Sequence, residues 1–287
     1  MRVLPCGVAL LLGAFVTALG GVAPVYADSV QCGDVLGPGG RYKLDTDLDC
    51  SNDPGPVSGP AFTLRSGAIL DLNQHLLTCQ FPEPCLVFKG RGATLKNGTL
   101  QGGIHYAIIL GGQGGHTLMN VTSGIMDGNI LVESDDNELI NVMAHGVYGG
   151  AFLIGGNDNR LTNSVAHCLS VIGGGCISVG GNRNRLSENV SLITSSRGGP
   201  NIEIVGDDNV LQGNRAILSE LGGQNVPGGK NGIVVTGTGN RLTRNTVRET
   251  KGPPHQDGID LQDTSGDCDH NTWRHSTFRT KDPACIE

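Results

Sequence analysis

The chain has 287 residues, a formal net charge of −7 and a charged fraction of 16%. This acidic balance argues against a nucleic acid or an anionic membrane as a partner, because both normally require a basic surface. Glycine occurs 46 times, whereas aromatic residues make up only 4% of the chain. Such a composition is unusual for a layered globular domain and favours many short strands joined by tight turns.

The N-terminal segment, residues 1–27, has the pattern of a secretory signal peptide. Arg2 precedes an apolar stretch at residues 8–19, and VYA at residues 25–27 supplies a small-residue cleavage site. The apolar stretch is short and interrupted by glycine, which disfavours a retained membrane anchor. We therefore expect an exported protein, extracellular or periplasmic, that begins at Asp28 and has no membrane partner.

Eight cysteines follow this segment, and an even number in an exported chain predicts disulfides rather than a zinc site. Their order along the chain suggests four local bridges: Cys32 with Cys50, Cys79 with Cys85, Cys168 with Cys176, and Cys268 with Cys285. The first bridge would close a capping hairpin within residues 28–60, which also hold the connection to the first repeat. The last bridge would pin the C-terminal tail over the final repeat.

A short pattern recurs through residues 61–287, which we expect to form one domain. It consists of an alternating apolar run, a turn of Gly, Asp and Asn, and then N-x-L-x-x-N-x-V. Clear copies begin at Ala151, Ile177, Asn201 and Gly232. The spacing of about 22 to 31 residues is that of a solenoid. Alternation with period two predicts strands, and no sustained helical stripe is present.

Two series of asparagines run through the repeats. We expect the first to stack as a ladder inside the coil, where side-chain amides bond from turn to turn. We expect the second to occupy tight turns in the left-handed conformation. The first series is Asn97, Asn120, Asn141, Asn163, Asn189, Asn214 and Asn245, and the second is Asn137, Asn159, Asn184, Asn209 and Asn240. Three members of the first series, Asn97, Asn120 and Asn189, lie in N-glycosylation sequons, which an interior position would leave unused.

The repeat pattern and the asparagine series resemble the right-handed parallel β-helix superfamily, which includes pectate lyases, polygalacturonases and alginate epimerases. The resemblance covers residues 61–278 and implies an all-β, single-stranded solenoid of about nine coils, each about 4.8 Å high. It does not bring a catalytic signature with it, so candidate residues come from the strand pattern.

In such a fold, residues at equal offsets in the first strand of each turn line up on one surface. With Ile202, Ile204 and Leu261 facing inward, Glu203 and Asp260 should face outward. Two turns separate them, so their backbones should lie about 9.6 Å apart. That spacing suits an acid–base pair with a water between, although two solvated carboxylates are the simpler interpretation.

Ionisable residues cluster just before these strands. His255, Asp257, Asp260, Glu203 and Lys230 are the catalytic candidates, as acids, bases or proton carriers. The substrate-binding candidates, as cations or residues on the same side, are Arg197, Lys251, Tyr148 and His105.

Other polar groups have structural interpretations. His145 and His167 occupy the same offset in neighbouring turns and should stack. The Asp-Asp-Asn runs that end at Asn137 and Asn209 fall at ordinary turns, so turn chemistry explains them better than calcium. We expect no metal and no cofactor.

These features predict a secreted β-helix enzyme that acts on an acidic polysaccharide or oligosaccharide as a lyase, epimerase or hydrolase, and that is a monomer. A non-catalytic glycan-binding or structural β-helix is the alternative. A small-molecule isomerase or cyclase is a third option, for which the few aromatic residues offer poor pocket walls.

Overall fold

The computed structural model describes residues 29–51, 59–79, 84–102, 106–124, 129–147, 149–171, 174–196, 199–218, 231–249, 259–265, 270–284 and 286. The elements in these ranges are all strands. Within the same ranges, no helix has the length and apolar character needed to cross a membrane.

The strands are short and follow one another at every turn of the chain. In chain order they are β1 (Asp34–Leu36), β2 (Arg41–Lys43), β3 (Leu48–Asp49), β4 (Phe62–Leu64), β5 (Ile69–Asp71), β6 (Leu76–Thr78), β7 (Leu86–Phe88), β8 (Thr94–Gln101), β9 (Ile108–Leu110), β10 (Thr117–Ser123), β11 (Ile130–Val132), β12 (Glu138–Ile140), β13 (Met143–Gly146), β14 (Phe152–Ile154), β15 (Arg160–Thr162), β16 (Val165–Val171), β17 (Ile177–Val179), β18 (Arg185–Ser187), β19 (Val190–Ser196), β20 (Ile202–Ile204), β21 (Val210–Gln212), β22 (Arg215–Leu218), β23 (Ile233–Val235), β24 (Arg241–Thr243), β25 (Thr246–Glu249), β26 (Leu261–Asp263), β27 (Thr272–Arg274) and β28 (Lys281–Asp282).

The first strand of each turn joins one parallel sheet, here called the first sheet. Its eleven strands follow the order β1-β4-β7-β9-β11-β14-β17-β20-β23-β26-β28. From β4 to β26, the outer two residues of each three-residue strand are buried and the middle one is partly exposed, as in β20. Alternation with period two therefore decides which side chains face the core.

The remaining strands form a second sheet that wraps the other faces of the coil. Long strands such as β8 belong to both faces, because β8 pairs with β5 through its first half and with β6 through its second. A row of leucines runs up the inside of this sheet, each paired with the next: Leu70, Leu95, Leu118, Leu139, Leu161, Leu186, Leu211 and Leu242, with Trp273 last. All pairs between the described strands are parallel, so the predicted all-β parallel β-helix is confirmed, while its right hand stays a prediction.

A short loop joins the first strand of each coil to the second, as at residues 205–209 between β20 and β21. The last four positions of this loop have separate structural requirements. The first position is small, because a Cβ at Gly206 would collide with the backbone oxygen of Gly181 in the turn before. The third position has positive φ, as at Asp158 and Asp208. The fourth position holds the buried row His116, Asn137, Asn159, Asn184, Asn209, Asn240 and Asn271. From His116 to Asn240, each backbone N–H in that row donates to the side-chain oxygen one turn further on, over 2.8–2.9 Å.

The predicted positions of the two asparagine series are therefore partly wrong. The series from Asn137 to Asn240 is interior, and the left-handed residue is the one before it. In the other series, Asn189, Asn214 and Asn245 are buried, but four members lie outside at φ of 50° to 58°: Asn97, Asn120, Asn141 and Asn163. They follow the inward leucine by two residues instead of three, and one residue reverses the direction of a side chain in an extended strand.

The outer members form their own chain of hydrogen bonds. The Asn141 amide donates to Asn120, Asn120 to Asn97, and Asn97 to the carboxylate of Asp71. The expectation that all three sequons are interior is thus wrong for Asn120, which is exposed, and for Asn97, which is partly exposed.

Three of the predicted disulfides are present, namely Cys32–Cys50, Cys79–Cys85 and Cys168–Cys176. Cys268 and Cys285 lie outside the described residues. The first disulfide closes a turn of the β-helix rather than a hairpin, because β1, β2 and β3 pair in parallel with β4, β5 and β6.

Candidate functional site

The outward-facing middle residues of the first sheet form a straight row of side chains. From β4 to β26 the row reads Thr63, Val87, Ile109, Leu131, Leu153, Ser178, Glu203, Val234 and Gln262. Six uncharged residues precede Glu203, which is the one charged member of the row within these described strands. Eight steps of about 4.8 Å make the row roughly 38 Å long.

Glu203 faces outward, as predicted, and it is partly exposed in the centre of β20. Ser178, at the same position in the previous turn, donates its hydroxyl to Glu203 Oε2 over 3.1 Å. Gly174 has a φ of +71°, and a Cβ built there would lie 3.5 Å from the same oxygen. The carboxylate is therefore held by one neutral donor beside a backbone that carries no side chain.

Asp260 was expected to face outward beside Glu203, and this is wrong. In β26, Leu261 pairs with Ile233 and Gln262 with Val234, so Gln262 takes the outward position. Asp260 is 5% exposed, and its Oδ2 accepts backbone N–H groups from Arg279 at 2.5 Å and Thr280 at 3.1 Å. It holds the C-terminal segment against the last turns.

Asp263 is also buried, at the inward position that follows Gln262 in β26. Its carboxylate accepts the indole N–H of Trp273 at 3.0 Å and hydrogen bonds from Ser265 and Asn271. The sequence favoured the wrong register because Ile259-Asp260-Leu261 has apolar residues on both sides of a polar one. The strand that forms, Leu261-Gln262-Asp263, has a carboxylate at one of its two inward positions. Gln262 is thus a residue of the outward row that the strand pattern did not identify.

Further polar side chains lie beyond Glu203 at the same end of the row, where Asn231 and Gln262 are hydrogen-bonded to each other. Asn231 Nδ2 donates to Gln262 Oε1 over 3.1 Å, and Asn231 Oδ1 accepts the backbone N–H of Ile259. Hydroxyl, carboxylate and amide groups of Ser178, Glu203, Asn231 and Gln262 therefore lie at one end of the row. Towards its other end, from Val87 to Leu153, the row is aliphatic.

The other seven predicted site residues all fall outside the described residues: Tyr148, His105, Arg197, Lys230, Lys251, His255 and Asp257. In the sequence, Arg197, Lys230 and Asp257 precede β20, β23 and β26 by three to five residues. Their roles stay predictions.

His145 and His167 pair on neighbouring strands β13 and β16, and their rings lie 5.3 Å apart at 67°, so the predicted stack is confirmed. They lie on the second sheet, and hence on a different face from Glu203. The described residues contain no group of three or more His, Cys, Asp or Glu side chains suited to a metal ion.

The comparisons with known proteins find only remote structural likenesses. The sequence matches no protein-family model and no curated protein. Among solved structures, the chain is similar to the Dettilon tailspike protein at 9% identity and a TM-score of 0.43, over 83% of this chain and 61% of that chain. It thus spans less than two thirds of the tailspike chain. It is also similar to the A-module of the mannuronan C-5 epimerase AlgE4 of Azotobacter vinelandii, at 11% identity and a TM-score of 0.39, over 85% and 86% of the two chains.

Identities this low concern architecture and say nothing of activity. The parallel pairing of strands from consecutive turns is the stronger observation, because it is read directly from eleven strands in one sheet. The strand pairing by itself therefore shows that the chain has the parallel β-helix fold.

Proposed function

We propose that the protein is an exported carbohydrate-active enzyme whose site lies on the first sheet around Glu203. The observation that carries this proposal is the outward row itself, in which a single carboxylate interrupts uncharged side chains. A row of side chains about 38 Å long suits an extended polymer better than a small molecule, which normally binds in a single concave pocket. The three disulfides support export to an oxidising compartment.

Glu203 is the proposed acid or base, and Ser178 is a positioning residue that fixes one carboxylate oxygen. Asp257 and His255 replace Asp260 as its proposed partners in proton transfer, and Lys230 stays a candidate for the same site. An acidic sugar would be neutralised by cations that precede the strands, for which Arg197 and Lys251 are the candidates. Tyr148 and His105 would contact sugar units nearer the aliphatic end.

The reaction class follows from what these groups do. A base that removes the proton next to a sugar carboxylate supports β-elimination or epimerisation, whereas two carboxyl groups across a glycosidic bond support hydrolysis. An acidic polysaccharide or oligosaccharide fits both options, because in each case a cation can neutralise the substrate carboxylate.

The test compares the wild type with Glu203→Gln on a panel of uronate and neutral polysaccharides. Unsaturated products are followed by ultraviolet absorbance, chain cleavage by reducing ends, and epimerisation by NMR of the polymer. We expect activity to fall by about two to four orders of magnitude, the usual contribution of general acid–base catalysis. Ser178→Ala should cause a smaller loss and alter the pH profile.

The matched control is Glu138→Gln, because Glu138 occupies an outward, partly exposed strand position on the second sheet. This variant also replaces a glutamate by glutamine, but on the second sheet, so it should retain full activity. Equal losses in both variants would remove Glu203 from the mechanism. If the wild type binds glycans but converts none, the non-catalytic β-helix is correct. If it ignores every glycan, a small-molecule substrate becomes the working hypothesis.

A further inference from the structure

The histidine pair on the second sheet has the geometry of half a metal site. His145 and His167 are directly paired residues of neighbouring parallel strands, so their side chains leave the sheet side by side. Their ring centres lie 5.3 Å apart at an interplanar angle of 67°. This pair does not depend on the proposed carbohydrate site, which lies on the first sheet.

The ring separation matches tetrahedral coordination. A zinc–nitrogen bond of about 2.0–2.1 Å puts the centre of an imidazole ring about 3.2 Å from the metal, so two rings at a tetrahedral angle have centres about 5.2 Å apart. An edge-to-face ring pair without a metal can have a similar spacing, so the spacing alone does not distinguish the two.

One ring nitrogen of the pair lacks a hydrogen-bond partner within the described ranges. His167 Nε2 is buried and has no hydrogen-bond partner among the described residues. A buried polar atom without a partner is unfavourable, and binding of an ion is one of the standard ways to satisfy one. The next strand carries Leu192 at the same position, so packing alone does not require an imidazole at this point of the row.

We infer that His145 and His167 bind a transition-metal ion of the Zn²⁺ class on the outer face of β13 and β16. Imidazole is a preferred ligand of Zn²⁺, Cu²⁺ and Ni²⁺ and a poor one for Mg²⁺. With two protein ligands, the other positions of the ion are open to water or an added ligand, and the ion links two successive turns of the coil. Met143 and Leu169 are exposed beside the pair and make its surroundings partly apolar.

The test titrates Zn²⁺ into the oxidised full chain, with calorimetry for stoichiometry and nitrogen NMR of the histidine rings for location. We expect one equivalent to bind, the ring signals of His145 and His167 to shift, and the melting temperature to rise with Zn²⁺ but not with Mg²⁺. His167→Leu should weaken binding by at least about tenfold, because loss of even an outer partner of a metal ligand costs about 10–100-fold.

The His167→Leu variant should fold, because the paired position on the next strand is already a leucine, Leu192. Circular dichroism checks the folding. His145→Gln is the second variant, and His270→Gln, at an exposed histidine near the C-terminal end, is the control that should bind Zn²⁺ like the wild type. Equal Zn²⁺ affinity in the wild type and His167→Leu would overturn the inference. So would shifts confined to other histidines, or an absence of binding by the wild type, which would leave the pair a packing contact only.

Discussion

His116 begins the buried row that asparagines continue through the later turns. Its Nδ1 accepts the backbone N–H of Ala93 at 3.1 Å, in the way that Asn137 Oδ1 accepts the N–H of His116. Its other ring nitrogen, Nε2, lies 2.8 Å from the carbonyl oxygen of Gly111 and therefore carries the proton. The ring also packs edge-on against Phe88, with centres 5.1 Å apart. Imidazole thus supplies the acceptor of an amide and fills more space in the core.

Neutral His116 should make stability depend on pH. Burial lowers its pKa below the ordinary value, and the contact with Gly111 only partly opposes this effect. The neutral folded form contributes full stability above about pH 6.5, the pKa of the unfolded state. That contribution is lost as the pH falls from there through the lowered folded pKa, because the unfolded chain binds the proton more readily.

The corresponding prediction concerns His116→Asn. An asparagine here keeps an acceptor for Ala93 but does not titrate, so the fall of unfolding free energy below about pH 6.5 should be shallower than in the wild type. At pH 8 the variant should be less stable by about 1 kcal/mol, since the contact with Phe88 is lost. Urea unfolding at several pH values measures both effects. Parallel pH curves for the two proteins would contradict the assignment, while a remaining slope is expected because burial and the neighbouring His167 also lower the pKa of His145.

At the scale of one turn of the coil, the buried asparagines and the exposed asparagines have different structural roles. Asn209 Oδ1 accepts the N–H of Asn184, and Asn209 donates its own N–H to Asn240, both over 2.8 Å. Asn163 lies outside at a φ of 50°, a position that Gly213 fills two turns later. One type of residue therefore either satisfies buried backbone groups or tolerates left-handed geometry.

This difference predicts opposite results for two substitutions. Asn209→Ala should lower the free energy of unfolding by about 1–3 kcal/mol, because it leaves the buried N–H of Asn184 without a partner. Asn163→Gly should be neutral or slightly stabilising, because glycine adopts positive φ without strain. Thermal and urea unfolding compare the two. A cost at Asn163→Gly equal to that at Asn209→Ala would show that position along the turn does not matter.

At the scale of the whole molecule, a coil of parallel strands needs its ends closed. A solenoid exposes unpaired strand edges and core residues at each end. At the C-terminal end, β27 and β28 pair with β24 and β26, and Trp273 terminates the leucine row. The carboxylates of Asp260 and Asp263 fasten this closure through backbone N–H groups and the indole.

Asp260→Ala should therefore loosen the C-terminal closure. We expect a loss of about 2–3 kcal/mol, because hydrogen bonds to a charged group are stronger than neutral ones and two backbone N–H groups lose the buried carboxylate that accepts from them. Hydrogen exchange should accelerate at the amides of Arg279 and Thr280 before it does in the central turns. Asp282→Ala, at an exposed position in β28, is the control. Unchanged exchange at Arg279 in Asp260→Ala would mean that the closure depends on other contacts.

The repeating pattern by itself determined that the chain is a solenoid of short strands, because period-two alternation recurs at a fixed spacing. The parallel coil followed from the resemblance of this pattern to a known superfamily. The repeating pattern also determined three disulfides, the stack of His145 on His167 and the outward direction of Glu203. Each of these follows from local spacing within one or two turns.

Only the tertiary structure decided the register at the ends and the side of each asparagine. A shift of one residue moved Asn163 outward while Asn189 stayed inside, and the alternation of apolar residues does not record such a shift. Asp263 entered the core because Trp273, Asn271 and Ser265 satisfy its carboxylate, and these partners are brought together by the fold. Alternation rewards apolar burial alone, so a buried carboxylate whose partners come from a later turn cannot be recognised from its own strand.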